Sequence, residues 1–255
     1  MLADLLAIQV FALMMVFVRV GATFMILPTI GEAYISPQVR LLLALTFSII
    51  VTPIVQDKVP AIPSTGILAI ILLIAAEILV GVFLGAMVRI MVAALATAGM
   101  VISVITGFAN ALLFNPGLDD QGSLQSVLLT MLGTLLIFAT ELHHVMLAGL
   151  VESYQVFQPG VMPPVGDFSQ MIARGAADSF ILAMKLASPF IVIGTVFYAL
   201  LGLLARLMPQ LQVFFLAMPL QILLGLMVLL LTVQAIMMTF LADFSDGLAR
   251  FISFN

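Results

Sequence analysis

The residues of this chain with chemical capacity sit inside or beside long apolar runs. Arg19, Glu77, Arg89, Glu141, His143, His144 and Lys185 interrupt stretches that otherwise read as membrane-spanning helix. A charge at mid-bilayer costs at least about 2.5–3.5 kcal/mol on insertion scales, so such a residue marks a packed interior, a polar path or a subunit contact. Glu141-Leu142-His143-His144 holds potential metal ligands. Adjacent histidines point to different helix faces, however, and pairing Glu141 with His144 leaves a third ligand unidentified. Polar contacts at a helix end or interface fit the cluster better. Arg19 and Lys185 each have Glu77 and Glu141 as candidate partners, and structural ion pairing outweighs a proton relay. Arg19, Glu77, Arg89, Glu141, His144 and Lys185 are thus interface or ion-pair candidates. Asp119 and Asp120 read as solvated loop acids.

Catalytic constellations are missing from the pattern. There is no phosphate-binding glycine loop, no metalloprotease helix motif and no Gly-x-Ser-x-Gly elbow. Zero cysteines exclude disulfides, iron–sulfur clusters, thiolate metal sites and a cysteine nucleophile. No catalytic residue, cofactor or metal is expected, and the chain is not expected to be an enzyme.

Composition sets the class. The 255 residues are 64% hydrophobic and 8% charged, with a mean hydropathy of +1.33. Soluble domains carry roughly 25% charged residues, so a water-exposed globule is excluded and the chain needs lipid, partner proteins or both. A net charge of −4 does not imply a nucleic-acid partner, and there is no basic run to supply one, so none is expected. The start of the chain lacks a signal-peptide pattern, so the first apolar run is expected to be retained. There is no tryptophan and only three tyrosines, where membrane proteins usually place aromatic belts. Nineteen phenylalanines and 17 methionines supply the bulk, and core filling is the leading use of the flexible methionines.

Apolar runs fall at 5–30, 40–56, 66–88, 91–114, 124–151, 177–204 and 211–241. Most reach the ~20 residues that a spanning helix needs. Seven literal spans would put Arg40, Arg89, Arg174 and Arg250 on one side and Lys58 and Arg206 on the other. The positive-inside rule would then place the N-terminus outside. The proline-free stretch 66–113 admits two readings, a tight hairpin at Arg89 or one long bent helix. Gly81 and Gly85 form a small-xxx-small pair that permits close helix approach. Pro189 and Pro219 each remove a backbone donor and are expected to kink their helices. The Pro-rich segment 155–168 is the best internal boundary.

One loop stands out. Gly107-Phe108-Ala-Asn110-Ala-Leu112-Leu113-Phe114-Asn115-Pro116-Gly117 combines glycines with bulky apolar side chains before a polar break. Such residues can form a constriction that gates by dewetting, although composition alone favours a simple helix end.

Ordered blocks carry a resemblance across nearly the whole chain. Arg19-Val-Gly21-Ala-x-Phe24-x-x-x-Pro28-x-x-Gly31 with Pro37-x-x-Arg40 looks like the start of the FliR family, subunits of the flagellar type III protein-export gate. Glu77-x-x-x-Gly81-x-x-x-Gly85, the Gly107–Pro116 loop, the His144 region, Arg206-x-x-Pro209-Gln210-x-x-Val213-Phe214 and Pro219-Leu-x-Ile222-x-x-Gly225-Leu226 follow in order. Asn115, Gln212 and Gln221 depart from the residues expected in relatives, which are an acid, Asn and Lys.

The resemblance implies an all-α, membrane-associated fold of long kinked helices and helical hairpins in a helical, cone-like assembly. It implies a FliP-like part at 1–165 and a FliQ-like C-terminal hairpin at 166–255. It implies FliP-like and FliQ-like partners, an FlhB-like export component, and passage of unfolded flagellar proteins at the inner membrane of the flagellar basal body. Much of such a cone stands above the bilayer, so seven literal spans would mislead. Loop 107–122 corresponds to the family's channel plug, with Phe108, Leu112, Leu113 and Phe114 as plug residues and Gly107, Pro116 and Gly117 as its hinge. An injectisome homologue belongs to the same class. The alternative outside it is an ion-coupled secondary transporter of small solutes using Glu77, Glu141 and the histidines.

Overall fold

The protein is described by a computed structural model covering residues 2–32, 35–60, 66–108, 123–208 and 213–252, with no side-chain description at 2–8, 213–216 and 251–252. Leu112, Leu113, Phe114, Pro116 and Gly117, like Asp119, Asp120 and Gln212, lie outside the described residues. Among the described residues there are seven α-helices and no strand: α1 (Leu2–Ile26), α2 (Pro37–Val55), α3 (Ile67–Ile105), α4 (Leu124–Ala139), α5 (Leu142–Val156), α6 (Val165–Leu207) and α7 (Val213–Ile252). The expected all-α fold of long apolar helices is what forms.

The expected runs are redrawn in two places. Residues 67–105 form one helix of 39 residues that passes through Arg89 without a hairpin. At 1.5 Å per residue it is about 58 Å long, nearly twice a ~30 Å hydrocarbon core. Arg89 therefore lies within a helix and not at a turn, which removes it from the charge count behind the seven-span orientation. The run 124–151 divides instead at Thr140-Glu141, where Glu141 adopts a left-handed φ of 60° and α4 and α5 bend by 76°. Among the described residues, five helices are long and apolar enough to cross a membrane, or six counting the bent pair as one span. Pro53, Pro189 and Pro219 lie inside helices.

Two compact units result, one from residues 1–91, 138–176 and 245–255, the other from 92–137 and 177–244. In the first, the sequence dictates a tight return between α1 and α2. Ser36 caps α2, its Oγ accepting from Val39 N at 3.4 Å, and Pro37 occupies the first turn, where its missing N–H costs nothing. Arg40 then reaches back and donates to the carbonyls of Ile30 (3.0 Å), Glu32 (2.9 Å) and Ile35 (3.3 Å). These oxygens lie in the connection between the helices, and Glu32 O also accepts from Ile35 N at 3.1 Å. A Cβ on Gly31 would stand 2.6 Å from Met25 O. Arg40 thus ties the described part of the connection to the start of α2.

That corner sends α2 back so that α3 can run parallel to α1. Their contact register rises together, with Gly81 against Arg19 and Ala22 and Gly85 against Thr23 and Ile26. A Cβ on Gly81 would come within 2.8 Å of the Ala22 Cβ, and one on Gly85 within 2.9 Å of the Ile26 Cβ. The small-xxx-small pair does what its spacing allows: it brings two backbones together. Around it Val16, Val20, Phe24, Val80, Phe83, Leu84, Leu150, Tyr154 and Phe168 form a buried core. Phe83 stacks on Phe168 at 3.9 Å, and Phe157 meets both edge-on.

In the second unit, Leu95, Ala98, Ile102, Leu129, Phe190, Phe240 and Phe244 are buried. Ser123 Oγ lies 3.2 Å from both Gly99 O and Ser126 N, fastening the start of α4 to α3.

Gly81→Val forces α1 away from α3, whereas Gly21→Ala adds a methyl where nothing lies within 4 Å. We expect the first to lower the thermal unfolding midpoint of the detergent-solubilised protein by several degrees or to prevent its recovery, and the second to leave it unchanged.

Candidate functional site

Two polar constructions stand out against the apolar background, one in each unit. The first is centred on Arg19, which is 0% exposed, and Glu77, which is 1% exposed. On α3, Glu77, Gly81 and Gly85 recur every four residues and share a face. The same close approach that the glycines permit sets Arg19 opposite Glu77. The guanidinium grips the carboxylate in a fork, Nε to Oε2 at 2.6 Å and Nη2 to Oε1 at 3.1 Å. Nη2 also donates to Phe157 O at 3.0 Å and Nη1 to Ser153 Oγ at 3.3 Å. The Arg19 carbon Cζ stands 4.1 Å from the Tyr154 ring centroid. Four of the five guanidinium N–H groups are thereby used, and the ring supplies a cation–π face.

An ion pair removed from water recovers its desolvation cost only with bidentate geometry and further hydrogen bonds. Arg19 has both. Thr23, one turn along α1, places its hydroxyl 2.9 Å from Arg19 O and 3.1 Å from Gly81 O. The network joins α1, α3, α5 and the chain just after α5.

The other charged candidates are not gathered there. Arg89 is exposed and reaches Ile26 O at 3.4 Å. Glu141 and His144 are exposed at the α4–α5 bend, and Lys185 is exposed on α6. The imidazoles of His143 and His144 lie 4.1 Å apart despite their adjacent positions, with Phe138 4.8 Å from His143. Among the described residues, no three His, Asp or Glu side chains are placed to hold a metal ion.

The second construction surrounds the C-terminal end of α3. Gly107 follows the helix with φ 79°, a left-handed stop that favours glycine, and its N–H donates to Val104 O at 3.3 Å. The last carbonyls of a helix lack intrahelical donors. Gln221, from α7, supplies one: Nε2 donates to Ile105 O at 2.7 Å and to Tyr198 Oη at 2.7 Å. The Gln221 amide carbon lies 3.3 Å from where a Gly107 Cβ would stand. Thr106 abuts Gly225 and Ile105 abuts Gly194, so the root of the loop is clasped by α6 and α7. Phe108 is half-buried in the turn beyond.

Ser153, Tyr154, Phe157, Tyr198 and Gln221 were not picked out as partners by pattern. One signal was available. Tyr154 and Tyr198 are two of only three tyrosines in a chain without tryptophan, and each marks a polar construction.

Comparison with known proteins accords with this architecture. The family model described as "Bacterial export proteins, family 1" matches residues 10–247. The flagellar biosynthetic protein FliR of Caulobacter vibrioides is 38% identical over 91% of this chain and 92% of its own length. FliR of Bacillus subtilis is 28% identical over 88% and 87%. The Yop proteins translocation protein T of Yersinia pestis is 30% identical over 87% and 85%.

Removing one partner of a buried pair leaves an uncompensated charge, at about 3–5 kcal/mol. Arg19→Met and Glu77→Leu are each expected to destabilise on that scale, and the double variant Arg19→Met/Glu77→Leu to recover much of the loss. A double-mutant cycle on unfolding in detergent reads the coupling; additive effects would contradict it. Apolar helices, the glycine-mediated crossing and a match over nearly the full chain agree, and the protein belongs to the FliR family of bacterial export proteins.

Proposed function

We propose that this chain is a subunit of the flagellar type III protein-export gate, forming with FliP-like and FliQ-like subunits the channel through which unfolded flagellar proteins leave the cytoplasm. The observation that carries the reading is the match across residues 10–247 to a family of bacterial export proteins, with a FliR relative at 38% identity. It favours export over an ion-coupled solute transporter. The buried charges agree, since Arg19 and Glu77 satisfy one another inside the chain instead of lining a path.

On this reading the assembly sits in the inner membrane at the flagellar basal body and engages an FlhB-like component. Residues 1–165 act as a FliP-like part and 166–255 as a FliQ-like hairpin. Loop 107–122 is the plug. Phe108, Leu112, Leu113 and Phe114 present apolar bulk that excludes ions from the resting channel, and Gly107, Pro116 and Gly117 let it yield to an extended polypeptide. The left-handed Gly107 and the clasped end of α3 support this: a plug needs a fixed root and a jointed departure.

Loss of the chain should abolish swimming and the export of flagellar proteins, and a tagged copy should co-purify FliP-like and FliQ-like partners. Deleting 108–114 should leave the complex assembled while making cells leaky to small ions. Unchanged permeability with an intact complex would sink the plug assignment, and purification of the chain without such partners would sink the gate itself.

A further inference from the structure

We infer that the outer face of α2 and of the first part of α3 lies against lipid, with Arg40 and Arg89 set at the level of anionic phospholipid headgroups. Membership of an export apparatus does not say which face lies in hydrocarbon or where α3 leaves it. Arg89 is exposed on α3, and its Nη1 donates to the carbonyl of Ile26, the last residue of α1, at 3.4 Å. Arg40 reaches the same end of α1, its Nη1 lying 3.7 Å from Met25 Sδ and its Nε donating to Ile30 O. The two arginines therefore share one level of the first unit. Among the described residues neither has a carboxylate within ion-pair distance. Carbonyl acceptors leave both charges unbalanced.

Away from that level the outer face carries no charge for the depth of a hydrocarbon core. Along the chain from Arg40, the next charged side chains are Asp57 and Lys58, just past the end of α2. At 1.5 Å per residue Arg40 and Lys58 stand about 27 Å apart. Ile67, where α3 begins, and Arg89 stand about 33 Å apart. The two spans fall on either side of the ~30 Å core thickness. Within them Leu42, Ile49, Ile50 and Ile54 on α2 and Ile71 and Ile78 on α3 are 44–63% exposed. The two charges at that depth, Arg19 and Glu77, are turned inward and satisfy each other. A helix apolar on its outer side as well as its packed side, as α2 is, suits lipid and not water. The two levels also differ in charge. Asp57 and Lys58 cancel, whereas Arg40 and Arg89 against Glu32 leave one positive charge. An apolar face edged on one side by unpaired arginines fits a leaflet whose anionic headgroups attract basic residues. Past Arg89, residues 90–105 carry α3 about 24 Å beyond the headgroup level.

The chain has no cysteine, so one introduced cysteine carries a unique nitroxide in it, with the unaltered chain as background. The chain is purified with whichever subunits accompany it, so the test does not depend on the export reading. In nanodiscs of phosphatidylcholine and phosphatidylglycerol, labels at Ile50→Cys and Ile71→Cys should relax more with oxygen than with a water-soluble nickel chelate. A label at Met100→Cys, exposed on α3 beyond Arg89, should not. A nickel preference at Ile50 and Ile71 would place them in water and overturn the inference. Protection there from both reagents would mean that a protein partner covers the face, and would overturn it equally. An oxygen preference at Met100 as well would overturn the boundary at Arg89. For the headgroup level, Arg89→Gln should lower the phosphatidylglycerol retained by the purified protein in native mass spectrometry roughly five-fold. Arg89→Lys keeps the charge without the guanidinium fork and should retain the lipid. Unchanged retention in Arg89→Gln, or equal loss in both variants, would overturn the anionic-lipid assignment.

Discussion

A guanidinium buried among apolar helices must bring its counter-charge and its acceptors with it, and the first unit is arranged around that requirement. Arg19 cannot be rehydrated where it sits, so Glu77, Ser153 and the Phe157 carbonyl have to arrive together. They come from segments 58, 134 and 138 residues away in sequence. The spacing of Glu77, Gly81 and Gly85 acquires its meaning from this: glycines bring the backbones close, and the carboxylate one turn earlier meets the arginine. The Arg40 corner serves the same end by turning the chain so that α3 returns parallel to α1. A buried ion pair is weak evidence for stability against an apolar alternative. Its use here is register, because helices that are apolar on nearly every side could otherwise slide.

The second unit meets a milder version of the problem with neutral groups. The end of α3 leaves carbonyls without donors, and an amide from α7 answers one of them. Charged, forked contacts surrender their partners reluctantly, whereas single neutral hydrogen bonds are exchanged readily. One helix, α3, carries both kinds: Glu77 in its first half, and Gly107 just past its end.

Several features were legible in the residues. The helical class followed from the length and purity of the apolar runs, and the close crossing from glycines four apart. The identity of the charged candidates was also plain, but not their pairing. Arg19 had two possible carboxylates, and Lys185 had the same two. Periodicity ranks faces of one helix and does not say which distant face will meet it. The same limit explains why Ser153 and Tyr154 passed unnoticed, and why Gln221 stood out only as a departure from relatives and not as a partner of the end of α3. The choice at Arg89 between a hairpin and one long helix is a different case. A charge in an apolar run resembles a turn in any one-dimensional profile, and Arg89 reaches Ile26 O from the side of an unbroken helix.

By itself, then, the sequence determined a membrane-type helical protein, the small-residue contact face and the order of blocks that marks its family. These depend on local propensity, hydrophobicity and spacing, which are properties of neighbouring residues. Only the tertiary structure decided that Arg19 takes Glu77, that α3 continues through Arg89, that the chain bends at Glu141, and that Gln221 meets the end of α3. Each of those rests on which remote groups become neighbours. A buried polar atom must find its partner in space, and distance along the chain does not measure that.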